Sequence, residues 1–159
     1  MPESSSVVNL VVAGLGGQGV LKASGILADT AFRAGLDVKK SEIHGMSQRG
    51  GSVSSDVRFG ERVFSPMVPA GEADFLVVLT ASQIDVARPM LKAGGVLIHP
   101  GLVDETRLVN KRSLNVALLG ALARQLNLAE NLWHAAIKAA LPEKLHAANL
   151  QAFAIGKNP

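Results

Sequence analysis

One segment limits the fold of this chain more than any other. Gly14-Leu15-Gly16-Gly17-Gln18-Gly19 follows an apolar, β-branched run at residues 7–13 (VVNLVVA) and opens a helical pattern at residues 20–34. This is G-x-G-x-x-G between a buried strand and a helix. The first glycine permits the tight turn, the second lets backbone approach a ligand, and the third lets helix and strand pack closely. Leu21, Ile26, Leu27, Ala31 and Ala34 fall near helical spacing, and Gly35 is a fitting stop. Residues 36–40 read as a second strand, completing a β–turn–α–β unit with its strands parallel.

The rest of the chain extends an α/β plan. Residues 52–59 alternate, with Val53, Ser55, Val57 and Phe59 on one face and Ser54, Asp56 and Arg58 on the other. Gly60-Glu61 suits a two-residue turn, and residues 62–65 are expected to return as the hairpin partner. Residues 74–80 (DFLVVLT) form another buried strand. Ser82, with Asp85 three residues on, reads as a capping-box-like start for a helix towards Lys92 that Pro89 ends or kinks. Gly94-Gly95 turns the chain into a last strand at 96–99. From about 114 to 155, stripes through Leu118, Leu122 and Leu126, then Leu132, Trp133, Ala136, Ile137 and Ala140, read as a helical tail. The fold class is therefore α/β: a Rossmann-like three-layer sandwich with a mainly parallel sheet, an inserted antiparallel hairpin and a short C-terminal helical tail. Residues 1–6 read as a disordered tail and 7–159 as one domain.

Composition narrows the chemistry. The sequence has 159 residues and no cysteine, which removes thiolate catalysis, Cys-ligated zinc and Cys-held iron–sulfur clusters from this chain. Only 18% of residues are charged against 48% hydrophobic, which suits a subunit with surface to bury against a partner. The net charge of +3 comes without a basic run, and aromatics are 4%, so nucleic acid is not expected as a partner. The apolar stretches are too short for a signal or a membrane span, so a cytoplasmic location is expected. Asp56, Glu61, Asp74 and Asp85 read as turn and cap residues. His99, His134 and His146 show no metal-ligand spacing.

A second loop carries the remaining chemistry. Ser41-Glu42-Ile43-His44-Gly45-Met46-Ser47-Gln48-Arg49-Gly50-Gly51 follows strand two and so belongs to the edge of the sheet where α/β ligands bind. Arg49 can fork onto a phosphate or carboxylate; Ser47 and Gln48 can add neutral hydrogen bonds; His44 can act as a switchable donor. Glu42 stands where a dinucleotide enzyme holds its ribose, although Lys39 and Lys40 flank it. Anion binding and packing both account for the glycines at this stage. A free-standing NAD or flavin oxidoreductase and a non-catalytic assembly module stay open.

GLGGQG, then EIHGMSQRGGSVSSDVRFG, then RVFSP, in this order, resembles the gamma subunit of 2-oxoacid:ferredoxin oxidoreductases, and in particular the same domain in the beta subunit of indolepyruvate ferredoxin oxidoreductase. The likeness spans about residues 7–155. It implies a subunit of a complex that converts 2-oxoacids to acyl-CoA and reduces ferredoxin, with no catalytic residue and no metal of its own. It implies that a partner subunit holds thiamine diphosphate, magnesium and iron–sulfur clusters, with coenzyme A as co-substrate; a homodimer stays open. The matching positions are Gly14, Gly16, Gly17, Gln18 and Gly19 in the first loop. In the second they are Glu42, His44, Gly45, Ser47, Gln48, Arg49, Gly50 and Gly51, with Arg58 in the strand that follows.

Overall fold

The computed structural model describes residues 7–44 and 51–159. Gly45, Ser47, Gln48, Arg49 and Gly50 lie outside the described residues, as does the 1–6 tail, and of His44 only the backbone is described. The elements are β1 (Val8–Leu15), α1 (Val20–Arg33), β2 (Asp37–His44), β3 (Ser52–Gly60), β4 (Ala73–Val78), α2 (Ile84–Ala87) and β5 (Leu91–Ile98), followed by α3 (Leu114–Ala123), α4 (Glu130–Ala140) and α5 (His146–Lys157). The five strands form one sheet in the order β2-β3-β1-β4-β5.

β1, β4 and β5 pair in parallel, whereas β3 is antiparallel to both β1 and β2. An antiparallel element is thus inserted, as the alternation of residues 52–59 predicts, but its partners differ from expectation. β3 uses one edge on β1 and the other on β2, so no edge remains for residues 62–65, which form no strand. Side chains hold that segment instead. Asp37 accepts from the Val63 N–H at 2.8 Å, Arg58 donates to the Ser65 carbonyl at 2.8 Å, and Asp56 accepts from the Val68 N–H at 2.9 Å. Asp56 is therefore a buried mid-strand anchor and not a turn residue. A second consequence is that β2 runs in the direction of β1 without touching it.

The helix expected at 82–92 is shorter. A 3-10 turn at Ala81–Gln83, the single turn of α2 and a 3-10 turn at Arg88–Met90 containing Pro89 replace it, and β5 begins at Leu91. Ser82 caps nothing; Thr80 holds the N-cap position without a side-chain bond. Gly94, with φ +78°, sits inside β5, where the register against β4 shifts, rather than in a turn ahead of it.

The two faces of the sheet are covered unequally. Leu10, Val12, Val57, Phe59, Val77 and Ile98 pack under α1 and the three C-terminal helices, with Leu118, Leu122, Trp133, Ile137 and Phe153 fully buried among them. On the other face, among the described residues, Val11, Ala13, Leu76 and Val78 cluster with Val68, Ala73 and Ala87, and Ile84, Met90, Leu91 and Leu97 lie partly buried beside them. This third layer is one turn of helix and a strapped loop.

Candidate functional site

The carboxyl ends of β1, β4 and β5 lie at one edge of the sheet, and the glycine turn emerges there between β1 and α1. Its geometry explains its residues. A Cβ on Gly14 would stand 2.9 Å from Gln18 Oε1 and 3.2 Å from Leu79 Cβ, so a side chain has no room. Gly17 and Gly19 have φ of +85° and +84°, the left-handed region that glycine enters without a steric penalty. Gln18 folds back on the turn and accepts the Leu15 N–H at 2.7 Å. It braces the loop through its side chain and is also among the residues that line the cleft beyond.

Gly16 N–H donates to the Gly51 carbonyl at 3.0 Å. This bond ties the first glycine turn to the last residue of the second glycine segment. Ser52, next in the chain, donates to Gln83 Oε1 at 2.6 Å. Gly51 and Ser52 therefore lie at the same edge of the sheet as the first glycine turn.

Gly19 is the N-cap of α1 and supplies no side-chain cap, and the first turn of α1 has no acidic residue. The free N–H groups and the positive end of the helix dipole are left without a built-in anion. Beside this terminus opens a cleft of about 580 Å³ lined by Gly17, Gln18, Gly19, Leu79, Lys111, Arg112, Leu114 and Asn115. A shallower depression of about 280 Å³ flanks the other side of the turn, from Leu15 to Lys22 with Val53.

Lys111, Arg112 and Asn115 were not legible as site residues. They are brought in by tertiary packing across 96 positions, where Asn115 Nδ2 donates to the Gly19 carbonyl at 3.2 Å. The signal that could have found them is local: two cations stand directly before α3, at the helix end where the dipole disfavours positive charge.

Two predicted site residues lie elsewhere. Arg58 is opposite Asn9, near the start of β1, whereas the glycine turn begins at Gly14, opposite Val53. At roughly 3.4 Å per residue the two are about 17 Å apart. Arg58 donates to Asn9 Oδ1 at 2.7 Å and to the Ser65 carbonyl, so its fork is engaged in holding the 62–68 segment. Glu42 forms an ion pair of 2.8 Å with Lys40. Because β3 lies between β1 and β2, Glu42 is two strand spacings, about 10 Å, from β1. Among the described side chains, the histidines do not converge. His99 accepts the Gly101 N–H, His146 meets the carbonyls of Lys138 and Leu141, and His134 stands edge-on to Phe153.

The profile of the family described as "Pyruvate ferredoxin/flavodoxin oxidoreductase" matches residues 9–105. The chain is 33% identical to an indolepyruvate oxidoreductase subunit IorB of Thermococcus kodakarensis, covering 93% of each chain. It is 32% identical to the protein of the same name from Pyrococcus horikoshii, again over 93% of each. In fold, it superposes on the gamma subunit of a keto/oxoacid ferredoxin oxidoreductase from Geobacter sulfurreducens with a TM-score of 0.80 and 24% identity, over 94% of this chain and 95% of that one. It also matches 31% of a 2-oxoglutarate:ferredoxin oxidoreductase chain from Magnetococcus marinus, solved with 2-oxoglutarate, coenzyme A and succinyl-CoA bound, with a TM-score of 0.83 and 20% identity over 97% of this chain. With its glycine turn, inserted β3 and helical layer, the chain belongs to the pyruvate ferredoxin/flavodoxin oxidoreductase family, in its gamma-type subunit branch.

Proposed function

We propose that this chain is the gamma-type subunit of a cytoplasmic 2-oxoacid:ferredoxin oxidoreductase whose substrates are aryl 2-oxoacids of the indolepyruvate type. Its part is to wall the site for the anionic groups of coenzyme A or of the 2-oxoacid and to dock against the catalytic chain. The glycine turn (Gly14, Gly16, Gly17, Gln18, Gly19) and the second loop (His44, Gly45, Ser47, Gln48, Arg49, Gly50, Gly51) form that wall, with Glu42 set back behind it on β2. The partner chain holds thiamine diphosphate, magnesium and the iron–sulfur clusters, and delivers electrons to ferredoxin. A chain without cysteine has no thiolate to offer a cluster, which fits this division.

The observation that carries the proposal is the Gly16 N–H bond to the Gly51 carbonyl beside the uncapped start of α1. It brings Gly51, the last residue of the second motif, to the glycine turn, at an edge where an anion is favoured, and this supports one shared site. The relatives named as indolepyruvate oxidoreductase subunits support the aryl substrate class, and the Magnetococcus structure supports coenzyme A.

Affinity purification from the native host, with mass spectrometry, is the direct test. Recovery of a chain with a thiamine motif and Cys-rich segments is expected. A chain that purifies alone and binds NAD or FMN tightly would overturn the reading. In the reconstituted complex, Arg49→Ala is expected to raise the apparent KM for coenzyme A or the 2-oxoacid; unchanged kinetics would remove Arg49 from the site. The NAD reading is disfavoured by Glu42, which is ion-paired with Lys40 and separated from β1 by β3.

A further inference from the structure

The turn Lys111–Ser113 breaks a local rule. It places two cations at the N-terminus of α3, and the first turn of α3 contains no acidic residue. Each of these charges opposes the helix dipole. Lys111 and Arg112 are exposed, and neither has an ion-pair partner among the described residues. Conflicts of this kind are expected where function outweighs stability.

The turn is held in place. Asn110 Oδ1 accepts the Arg112 N–H at 2.9 Å, and the Asn110 carbonyl accepts the Ser113 N–H at 3.0 Å. Two residues after the turn, Asn115, 8% exposed, bonds the Gly19 carbonyl and so fixes its distance from the glycine turn. Lys111 and Arg112 thereby face the same cleft as Gly17 and Gly19. No Asp or Glu lines it.

We propose that Lys111 and Arg112 form a phosphate clamp, and that the cleft between them and the glycine turn takes the diphosphate of a nucleotide-type ligand. Two full charges and one helix terminus exceed what a monocarboxylate needs. The cleft of about 580 Å³ lies within the range of roughly 300–1,000 Å³ usual for sites of extended ligands. Arginine supplies a planar fork and lysine a compact point charge, a pairing suited to two adjacent phosphoryl groups. The clamp rests on the proposed function in one respect: coenzyme A is then the ligand whose diphosphate it holds.

The test uses the full chain and titration calorimetry with pyrophosphate, ADP, coenzyme A and pyruvate. Saturable binding of pyrophosphate and ADP is expected, weakening as salt is raised, with pyruvate not binding. Lys111→Gln/Arg112→Gln, changed at exposed positions, is expected to weaken ADP binding about tenfold or more, on the strength of charge-assisted hydrogen bonds. The Lys111→Arg/Arg112→Lys exchange is expected to restore most of it. Absence of pyrophosphate and ADP binding, equal binding by the double variant, or equally tight binding of pyruvate would each overturn the clamp. ADP binding that depends on Lys111 and Arg112, in a complex whose turnover ignores coenzyme A, would keep the clamp and overturn the coenzyme A reading.

Discussion

Gly17 and Gly19 separate two reasons for a glycine. Both lie near φ +85°, so alanine at either position is expected to cost about 1–2 kcal/mol in backbone strain. Around Gly17 a Cβ would meet nothing, so strain is its whole cost. At Gly19 the Cβ would stand 2.5 Å from Asn115 Nδ2, displacing the side chain that ties α3 to the turn. Gly19→Ala is therefore expected to lose about a further 0.5–1.5 kcal/mol from the broken hydrogen bond, which Gly17→Ala keeps. Urea unfolding of both variants checks this; equal losses of stability would contradict the geometry.

Asp56 shows what sequence reading cannot assign at the level of one side chain. Alternation placed it on the polar face of β3, but that face is covered by the strapped loop, and Asp56 is 2% exposed. Burial raises its carboxyl above the ordinary 3.8, against the opposing pull of the Val68 N–H and of Arg58. Between those two values the folded chain keeps a proton that the unfolded chain releases, so stability falls as pH rises through this window. Asp56→Asn keeps an acceptor for Val68 and removes the titration. It is expected to flatten that part of the pH–stability curve in urea melts. A variant that follows the wild-type slope there would show that Asp56 does not titrate in this way.

Among the helices, the contact between α3 and α5 makes the strictest demand on sequence. A Cβ on Gly120 would collide with the Phe153 carbonyl, and one on Gly156 with the Ala117 carbonyl. Backbone cannot yield as a side chain does, so the helices approach only because both positions are bare. Gly156→Ala is expected to destabilise by at least the about 1–3 kcal/mol of ordinary overpacking, although alanine is the better helix former. Gly25 in α1 is the control. Its added Cβ would find only Lys40 Nζ at 4.0 Å, so Gly25→Ala should stabilise by about 0.5–1 kcal/mol. Thermal melts of the two variants should move in opposite directions. At this scale the sequence was informative. β1, α1 and β4 lie close to their predicted bounds because a buried strand and an amphipathic helix each carry a periodic signal. The helix over 82–92 failed because Pro89 and the need to begin β5 at Leu91 leave one turn, and a local capping pattern does not report where the next strand must start.

At the scale of the whole molecule, the layers were legible and the strand neighbours were not. Hydrophobic alternation shows that residues 52–59 have one buried face, but either edge of a strand can receive a partner, and a side-chain pattern does not say which. The glycine turn was legible as a strand-to-helix turn because its spacing is local. Its basic counterpart at Lys111 and Arg112 was hidden because it arrives through packing of α3 on the turn. The same packing makes the C-terminal helices part of the main core: Leu10 and Val57 of the sheet join Trp133 and Phe153 in one continuous cluster. From this we propose that residues 7–159 unfold as one unit, although the family profile ends at residue 105. Trp133, the only tryptophan, is 0% exposed and packs 5.5 Å from the Phe153 ring, so its fluorescence reports the helical layer. Far-UV circular dichroism reports sheet and helices together. The two urea transitions are expected to coincide, because exposing Trp133 also exposes the sheet face beneath it. A tryptophan transition at lower urea than the dichroism change would mean that the tail opens separately from the sheet. The clamp at Lys111 and Arg112 would then be lost while the glycine turn stays folded.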